Sequence, residues 1–251
     1  MVLLHVVDLD PRLTALHRLG GFHVLRTAGV PGPSLPTLAQ AYVPGPADVQ
    51  GDFLTSRVRT VAGALRTTDA RVAASVAHQG LAARLWSVAL GSAALHGAAP
   101  DLDPRLLRWD PAAGAPDDLW LTEVRPLPGD ASTLADLVLT GHLEPLAAAL
   151  RSRHRLAPGL LRGNAASALV GAARRPVDWA RGHGRTDVAE RVARLTRELL
   201  ADPRLAGAGT LTGTGFRRRS CCLYYRVPGG GVCGDCCFVR PPRSSPRAPS
   251  E

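Results

Sequence analysis

Residues 69–97 read DARVAASVAHQGLAARLWSVALGSAALHG and carry the longest helical pattern in the chain. The larger apolar side chains recur at helical spacing, and alanine fills the positions between them: Val72, Val76, Leu81, Leu85, Val88 and Leu95. Gly80 and Gly91 interrupt the pattern, and either glycine can bend or split a helix. The segment therefore predicts one long core helix or a buried helical hairpin.

The segments that follow predict a small sheet and further helices. Two tryptophan-bearing runs, 106–109 and 119–124, flank a turn-rich stretch and are typical of two antiparallel strands. Helical periodicity then returns three times, over 132–154, 158–173 and 186–200. We therefore predict an α+β fold, a mainly helical domain with a small antiparallel sheet.

The two ends of the chain contain less regular patterns. A helix is expected near Pro11 to Arg18, and the proline-rich region 28–50 is expected to hold little regular structure. The Gly/Thr-rich stretch 201–215 favours a linker, because its glycines disfavour a helix. We predict a helical/α+β domain over 1–206, a C-terminal cysteine-rich module over 207–240 and a disordered tail over 241–251.

Composition supports a folded chain with a localised positive charge. Hydrophobic residues make up 45% of the sequence, which is enough for a core, and all 30 basic residues are arginine. The formal net charge is +9, which raises the question of an anionic partner such as nucleic acid. Residues 217–251 contain seven arginines and only two acidic residues, so the excess positive charge is concentrated around the cysteines.

The sequence predicts a cytoplasmic protein. The apolar run from Val2 to Val7 is too short for a secretory signal, and acidic residues follow it. The longest stretch without charged residues, 85–100, is shorter than the roughly 20 residues that span a bilayer. We therefore expect neither a signal peptide nor a transmembrane helix.

Five cysteines fall within 17 residues, and the rest of the chain has none: Cys221, Cys222, Cys233, Cys236 and Cys237. An odd number of clustered cysteines in a cytoplasmic chain argues against a disulfide framework. We therefore interpret the cluster as a metal or iron–sulfur site. The surrounding residues predict a hairpin, with a turn at 228–231, and a short strand from Leu223 to Val227 that shields the site.

Spacing leaves both zinc and iron–sulfur chemistry open, but it favours iron–sulfur. The Cys233-Gly-Asp-Cys236 knuckle allows two thiolates to reach one metal ion, and both chemistries use it. The other pair, Cys221 and Cys222, is adjacent, so its side chains diverge in an extended strand. Diverging thiolates suit two separate iron centres better than a single tetrahedral ion.

The run FRRRSCCLYYRVPGGGVCGDCC, residues 216–237, resembles the C-terminal signature C-C-x10-C-x2-C of the FhuF family of ferric siderophore reductases. A weaker resemblance extends upstream through 95–97, the tryptophan strands and 163–168. The resemblance implies a [2Fe–2S] cluster whose ligands are Cys221, Cys222, Cys233 and Cys236. Cys237, directly after the last expected ligand, is a departure from the signature and a substitute candidate for the fourth ligand.

The resemblance also implies a function: one-electron reduction of a Fe(III)-siderophore, with a hydroxamate complex favoured, and release of Fe(II). It implies an external electron donor, since the chain shows no flavin or nicotinamide motif, and a peripheral contact with a siderophore importer. We expect no nucleic-acid partner. The alternatives are an iron–sulfur electron carrier, a redox sensor, or a zinc-stabilised protein that binds nucleic acid.

Other side chains have weaker functional patterns. Arginines near the cysteines are placed to offset a cluster charge of about −2 and to raise its reduction potential: Arg217, Arg218, Arg219, Arg226 and Arg240. Arg174, Arg175 and Arg181 could form a basic wall, although a solvated helix end is the simpler interpretation. Asn164 is interpreted as a helix-interior or capping residue. The eight histidines have no ligand spacing and are interpreted as surface or packed residues.

Overall fold

One long helix, α4 (Ala70–His96), forms the centre of the computed structural model, which describes residues 11–27, 29, 35–43 and 52–242. Asp69 caps its start by accepting from the backbone N–H of Arg71, and Gly97, at φ 71°, ends it in the left-handed region. The helix is buried on most sides, with 19 of its 27 residues inaccessible. Of the two alternatives for this segment, the single core helix is confirmed.

Gly91 does not bend α4 but lets another segment approach it. A Cβ atom at this position would lie 2.9 Å from the ring of His23, which belongs to the turn Gly21–His23. The N-terminal helix α1 (Pro11–Leu16) and the turn His17–Leu19 pack on the same region of α4. The helix predicted near Pro11 to Arg18 is therefore present.

Three further helices pack around α4: α3 (Phe53–Ala64), α7 (Pro158–Gly182) and α8 (Thr186–Leu200). The bounds of α8 match the prediction, whereas α3 was not predicted. The prediction for α7 ended too early, at 173, because the helix continues through Pro176. Pro176 and Ala180 are buried, so packing outweighs the backbone hydrogen bond that proline removes.

The helix predicted over 132–154 is present but changes geometry along its length. It begins as α5 (Ala131–Ala135), continues as a π-helical segment (Asp136–Leu143) and ends as α6 (Glu144–His154). Within the π segment, His142 is buried between the hydroxyl of Tyr42, at 2.7 Å, and the carbonyl of Leu102, at 2.6 Å. Such local widening of the helix is not visible in the apolar periodicity.

Three two-stranded antiparallel sheets complete the described part of the fold. The predicted tryptophan strands pair as β2 (Leu107–Trp109) and β3 (Leu119–Leu121), with Arg108 opposite Trp120. Two pairings were not predicted: β1 (Ala98–Pro100) with β4 (Pro126–Pro128), and β5 (Gly209–Thr212) with β6 (Gly215–Arg218). The second pairing corrects the interpretation of 201–215 as a linker, because its end folds into a hairpin.

The proline-rich region contains one helix that was not expected, α2 (Leu38–Tyr42). Thr37 and Gln40 form a capping box at its start, so local hydrogen bonds stabilise a helix of only five residues. The predicted tail 241–251 lies outside the described residues except for its first two positions, and the division into three regions stays a prediction. Across the described ranges, no helix combines the length and the apolarity needed to cross a bilayer.

Candidate metal centre

The β5–β6 hairpin brings the chain to the cysteines. Gly209 is required in the hairpin because a Cβ atom there would lie 2.4 Å from both the ring of Phe216 and the carbonyl oxygen of Arg217. This close approach lets Phe216 fill a buried position in the core. Strand β6 therefore packs beside α7 and ends three residues before Cys221, the first residue of the first cysteine pair.

Two of the cysteine sulfurs meet directly. The Sγ atoms of Cys222 and Cys233 lie 3.5 Å apart, Cys222 is buried, and all five cysteines are free thiols. Backbone N–H groups donate to two other sulfurs: Leu223 to Cys221 at 3.2 Å, and Phe238 to Cys236 at 3.4 Å. A sulfur of the first cysteine pair is thus in contact with one of the second pair, ten intervening residues later in the sequence.

The predicted strand from Leu223 to Val227 is wrong. Leu223 has φ 69°, and the residues after it form a turn of 3-10 helix, Tyr224–Arg226, which reverses the chain after the first pair. Gly230 continues the reversal: a Cβ atom there would lie 2.9 Å from the carbonyl oxygen of Val227. A compact turn, and not an extended hairpin strand, therefore follows the first cysteine pair.

The contact between Cys222 and Cys233, together with burial, sets the pKa values of the thiols. The pKa of Cys222 is lowered to about 6, chiefly by its hydrogen bond with Cys233, and the positive charge of Arg218 adds to this. The same hydrogen bond raises the pKa of Cys233. Burial raises the pKa of Cys221 to about 11 and also raises that of Cys237. Cys222 is thus the thiol of the close pair that ionises first.

A buried hydrogen-bonded chain ties Cys222 to the core helices. The guanidinium of Arg218 donates to the amide oxygen of Asn164 on α7. The Asn164 amide nitrogen donates to the backbone carbonyl of Ser75 on α4 at 2.9 Å, and the Ser75 hydroxyl donates to the carbonyl of Cys222 at 2.7 Å. Asn164 is therefore a helix-interior residue, as interpreted, but it also connects both helices to the cysteine segment.

Asp235, inside the second cysteine knuckle, is held by α7. Its carboxylate accepts a hydrogen bond from Ser167 Oγ at 2.6 Å and one from Arg174 at 2.8 Å. Its backbone carbonyl accepts from the N–H of Arg218 at 3.0 Å. Both cysteine pairs are therefore positioned against the same face of α7.

The small residues of 163–168 make that approach feasible. A Cβ atom on Gly163 would lie 2.3 Å from Ser220 Oγ and 3.1 Å from the guanidinium of Arg218. Ser220 in turn donates to the carbonyl of Gly159 at 2.7 Å. The weak upstream resemblance at 163–168 was thus a signal for this contact surface, although the sequence alone did not identify its partners.

The five arginines predicted to offset a cluster charge have different surroundings. Arg218 is buried, whereas the others are exposed, and Arg226 forms an ion pair with Asp69 at 3.0 Å. Arg217 donates to the carbonyl of Cys237 at 3.3 Å. Among these arginines, the buried Arg218 therefore acts on both thiols of the close pair. Its positive charge favours the thiolate form of Cys222 and of Cys233.

The histidines are surface or packed residues, as interpreted, wherever the structure describes them; His5 lies outside that part. Three are buried: His23, His78 and His142. Burial lowers the pKa of His78 to about 3, with a further contribution from Arg218, and lowers that of His23 and His142 to about 4. These imidazoles are neutral at pH 7.

The donor set fits a thiolate-bound metal centre in two respects. A metal–thiolate bond of about 2.3 Å in tetrahedral geometry separates two sulfurs by about 3.8 Å, close to the 3.5 Å between Cys222 and Cys233. In addition, the buried Nε of Arg218 has no hydrogen-bond partner in the described part of the chain, as expected beside an anionic group. Nowhere in the described ranges do three or more His, Cys, Asp or Glu side chains converge as ligands of a single ion would.

These features describe a cysteine segment that is docked on a helical domain and brings thiols of both cysteine pairs together. Residues 218–238 match the family model of the FhuF 2Fe–2S C-terminal domain, so this segment is similar to that domain, and the chain is an iron–sulfur protein whose cofactor is a [2Fe–2S] cluster. The match decides between the iron–sulfur and zinc alternatives. No curated protein matches the chain.

Proposed function

We propose that this protein is a ferric siderophore reductase. The observation that carries the proposal is the FhuF-type 2Fe–2S domain at 218–238, packed on a helical domain that a simple electron carrier would not need. Cys221, Cys222, Cys233 and Cys236 would hold the cluster, with Cys237 as a substitute for the fourth ligand. When bound, the cluster supplies one-electron transfer.

The chemistry of the substrate explains why one electron is enough. Hard oxygen donors of hydroxamate or catecholate type hold Fe(III) tightly and hold Fe(II), with its lower charge, far less. A hydroxamate complex is the favoured substrate. Reduction by one electron therefore releases the metal, and an external one-electron donor must reduce the protein again before the next turnover.

The chain's own residues would position the cofactor and adjust its surroundings. The buried charge of Arg218 offsets the negative charge of the cysteine thiolates. Asp235, fixed by Ser167 and Arg174, holds the second knuckle, and Ser75 holds the carbonyl of Cys222. These contacts would position both halves of the ligand set on α4 and α7, and they support the proposal of a stably bound cluster.

The test uses protein purified anaerobically, with iron, sulfide and EPR analysis to establish the cluster content. The chemically reduced protein is mixed with a ferric hydroxamate, and a ferrous chelator traps the product. We expect one Fe(II) for each reduced cluster. A fully loaded protein that reduces no hydroxamate or catecholate complex, but exchanges electrons with a protein carrier, would instead support the electron-carrier alternative.

A further inference from the structure

A large cavity lies beside the cysteine segment, between α7, α8 and the turn of the β5–β6 hairpin. Its volume is about 680 Å³, which is within the range of cavities that bind small molecules in proteins. Four aliphatic side chains line it: Val170 and Val177 from α7, Val192 from α8 and Leu211 from β5. The cavity can therefore hold the apolar backbone of an organic ligand.

The polar part of the cavity wall is positively charged. Arg174, Arg181 and Arg197 line the cavity, and Asp178 is the acidic residue among its lining side chains. Arg197 bonds the carbonyl of Ala193, while Arg181 forms no ion pair with any described residue. The lining side chains have a formal net charge of +2, which falls to +1 when Asp235, the ion-pair partner of Arg174, is counted, so the wall favours a ligand with anionic oxygen atoms.

One polar group on the wall lacks a partner. Thr196 is only 5% exposed, and its hydroxyl has no hydrogen-bond partner within the described ranges. A buried hydroxyl left without a partner costs free energy, and polar groups in such positions usually have a ligand or water to bond. Thr196 lines the same cavity as the three arginines, so it is an independent indication of a ligand site.

The cavity and the cysteines share a side chain. Arg174 lines the cavity, and the same guanidinium bonds Asp235, which lies between Cys233 and Cys236, at 2.8 Å. A ligand in contact with Arg174 is thus separated from the second cysteine knuckle by a single ion pair. This proximity is what electron transfer from a cluster to a bound metal complex requires.

We propose that this cavity binds the ferric siderophore, and that it prefers a hydroxamate complex with a negative charge to the same complex with a positive charge. The proposal rests on the proposed function and adds the location and charge of its substrate site. When bound, the cluster would supply the one electron that turns the siderophore's Fe(III) into Fe(II), and the side chains of the cavity would hold the complex near it. The reducing equivalent comes from the external one-electron donor, or from dithionite in the assay.

A matched pair of ligands tests the charge preference. Desferrioxamine B complexes carry a free ammonium group, and succinylation of that amine turns the cationic complex into an anionic one. Ga(III) replaces Fe(III) with the same charge but is not reduced, so calorimetry on the oxidised, cluster-loaded protein measures binding alone. We expect the succinylated complex to bind about tenfold more tightly at low salt, and the difference to shrink as salt is added.

Two pairs of variants test the location. Ala193 is exposed and lines the cavity, so Ala193→Trp should fill the cavity and weaken binding of both complexes by about tenfold or more. Ala201→Trp, an exposed position at the end of the same helix, is the control and should bind as wild type. Arg181→Gln should reduce the preference for the anionic complex, whereas Arg59→Gln, exposed on α3, should not.

The outcomes separate this proposal from the reductase assignment. If the wild-type protein releases Fe(II) but Ala193→Trp and Arg181→Gln bind and react as wild type does, the substrate binds elsewhere and the cavity proposal is wrong. If Ala193→Trp abolishes binding in a protein that reduces neither ferric complex, the cavity is the ligand site and the reductase assignment is wrong. A wild-type protein that binds neither gallium complex overturns the cavity proposal.

Discussion

The hydroxyl of Ser75, in the second turn of α4, donates to the backbone carbonyl of Cys222 at 2.7 Å. This contact joins the central core helix to a residue 147 positions later in the chain. Ser75 also receives hydrogen bonds from Asn164, so the carbonyl of Cys222 is fixed by two helices at once. The cysteine segment is therefore held by the helical core and not by metal coordination alone.

Removing either sulfur of the close pair should remove the cluster. Each iron of a [2Fe–2S] cluster needs two protein thiolates, so Cys222→Ser and Cys233→Ser should lower iron and sulfide content nearly to zero. Iron and sulfide analysis of anaerobically purified protein checks this. Both variants keeping wild-type iron and sulfide would overturn the ligand assignment.

The matched control for these variants is Cys237→Ser, which should keep the cluster. The neighbouring pair then decides the fourth ligand: Cys236→Ser should lose the cluster, unless the adjacent thiol replaces it. If Cys236→Ser keeps the cluster and Cys237→Ser loses it, the ligand assignment carried over from the family is wrong by one residue.

Cutting the link at Asn164 should destabilise the fold. Asn164→Leu removes one acceptor of the buried Arg218 guanidinium and leaves it Gln79 Oε1 and the carbonyl of Leu160, both at 3.3 Å, so the loss of this hydrogen bond to a charged group should cost about 2 kcal/mol. Denaturant unfolding of the cluster-loaded protein measures the change. Arg162→Leu, at an exposed position on the same helix, should change the free energy of unfolding little, and an equally small effect at Asn164 would refute the role of the link.

Sequence patterns predicted a set of cysteine ligands, which stays a prediction, but they did not predict the structure that holds those cysteines. The five cysteines fall within 17 residues, so a metal centre could be predicted from one short stretch of sequence. The apolar periodicity of α4 and α8 likewise predicted those two helices. Asn164, Ser75 and Arg218 meet only in three dimensions, because no local pattern specifies which buried polar groups pair across 50 to 150 residues. The hairpin at 209–218 was missed for the same kind of reason: its glycines suggested a linker, whereas Gly209 is needed for the close approach of Phe216.

Neutralising Asp235 should shorten the lifetime of the cluster without unfolding the protein. Asp235→Asn loses the ion pair with Arg174 and weakens the contact with Ser167, a loss of about 1–2 kcal/mol in the knuckle. The loss of visible absorbance in the presence of an iron chelator reports the lifetime. Asp187→Asn removes a solvent-exposed ion pair on α8 and should leave that lifetime unchanged; equal lifetimes in the two variants would contradict the prediction.

Mild acid should destabilise the protein partly through His142. Burial lowers the pKa of His142 to about 4, below its ordinary 6.5, so the unfolded chain takes up the proton first as pH falls. The stabilisation is complete above pH 6.5 and is lost as pH falls toward about 4. Between about pH 7.5 and about pH 5.5 the loss should be about 1 kcal/mol.

The contribution of His142 is measured by comparing wild type with a His142 variant, because burial also lowers the pKa values of His23 and His78. Denaturant unfolding of wild type and His142→Gln at both pH values should show a smaller pH dependence in the variant. His183→Gln, at an exposed position, serves as the control and should keep the wild-type dependence. Identical slopes for wild type and His142→Gln would show that His142 does not contribute.

The charge of Arg218 should raise the reduction potential of the cluster. Reduction adds negative charge, and a buried cation beside Cys222 and Cys233 stabilises the reduced form more than an exposed cation does. Arg218→Gln should therefore lower the midpoint potential by an amount on the order of tens of millivolts. Arg218→Lys keeps the charge and should shift the midpoint potential less. Arg217→Gln and Arg219→Gln remove exposed charges and should have small effects that salt screens.

Redox titrations followed by EPR measure all four variants, and cluster content is checked first so that a folding defect is not mistaken for a shift in potential. If Arg218→Gln keeps its cluster and titrates at the wild-type potential, the buried guanidinium has only a structural role.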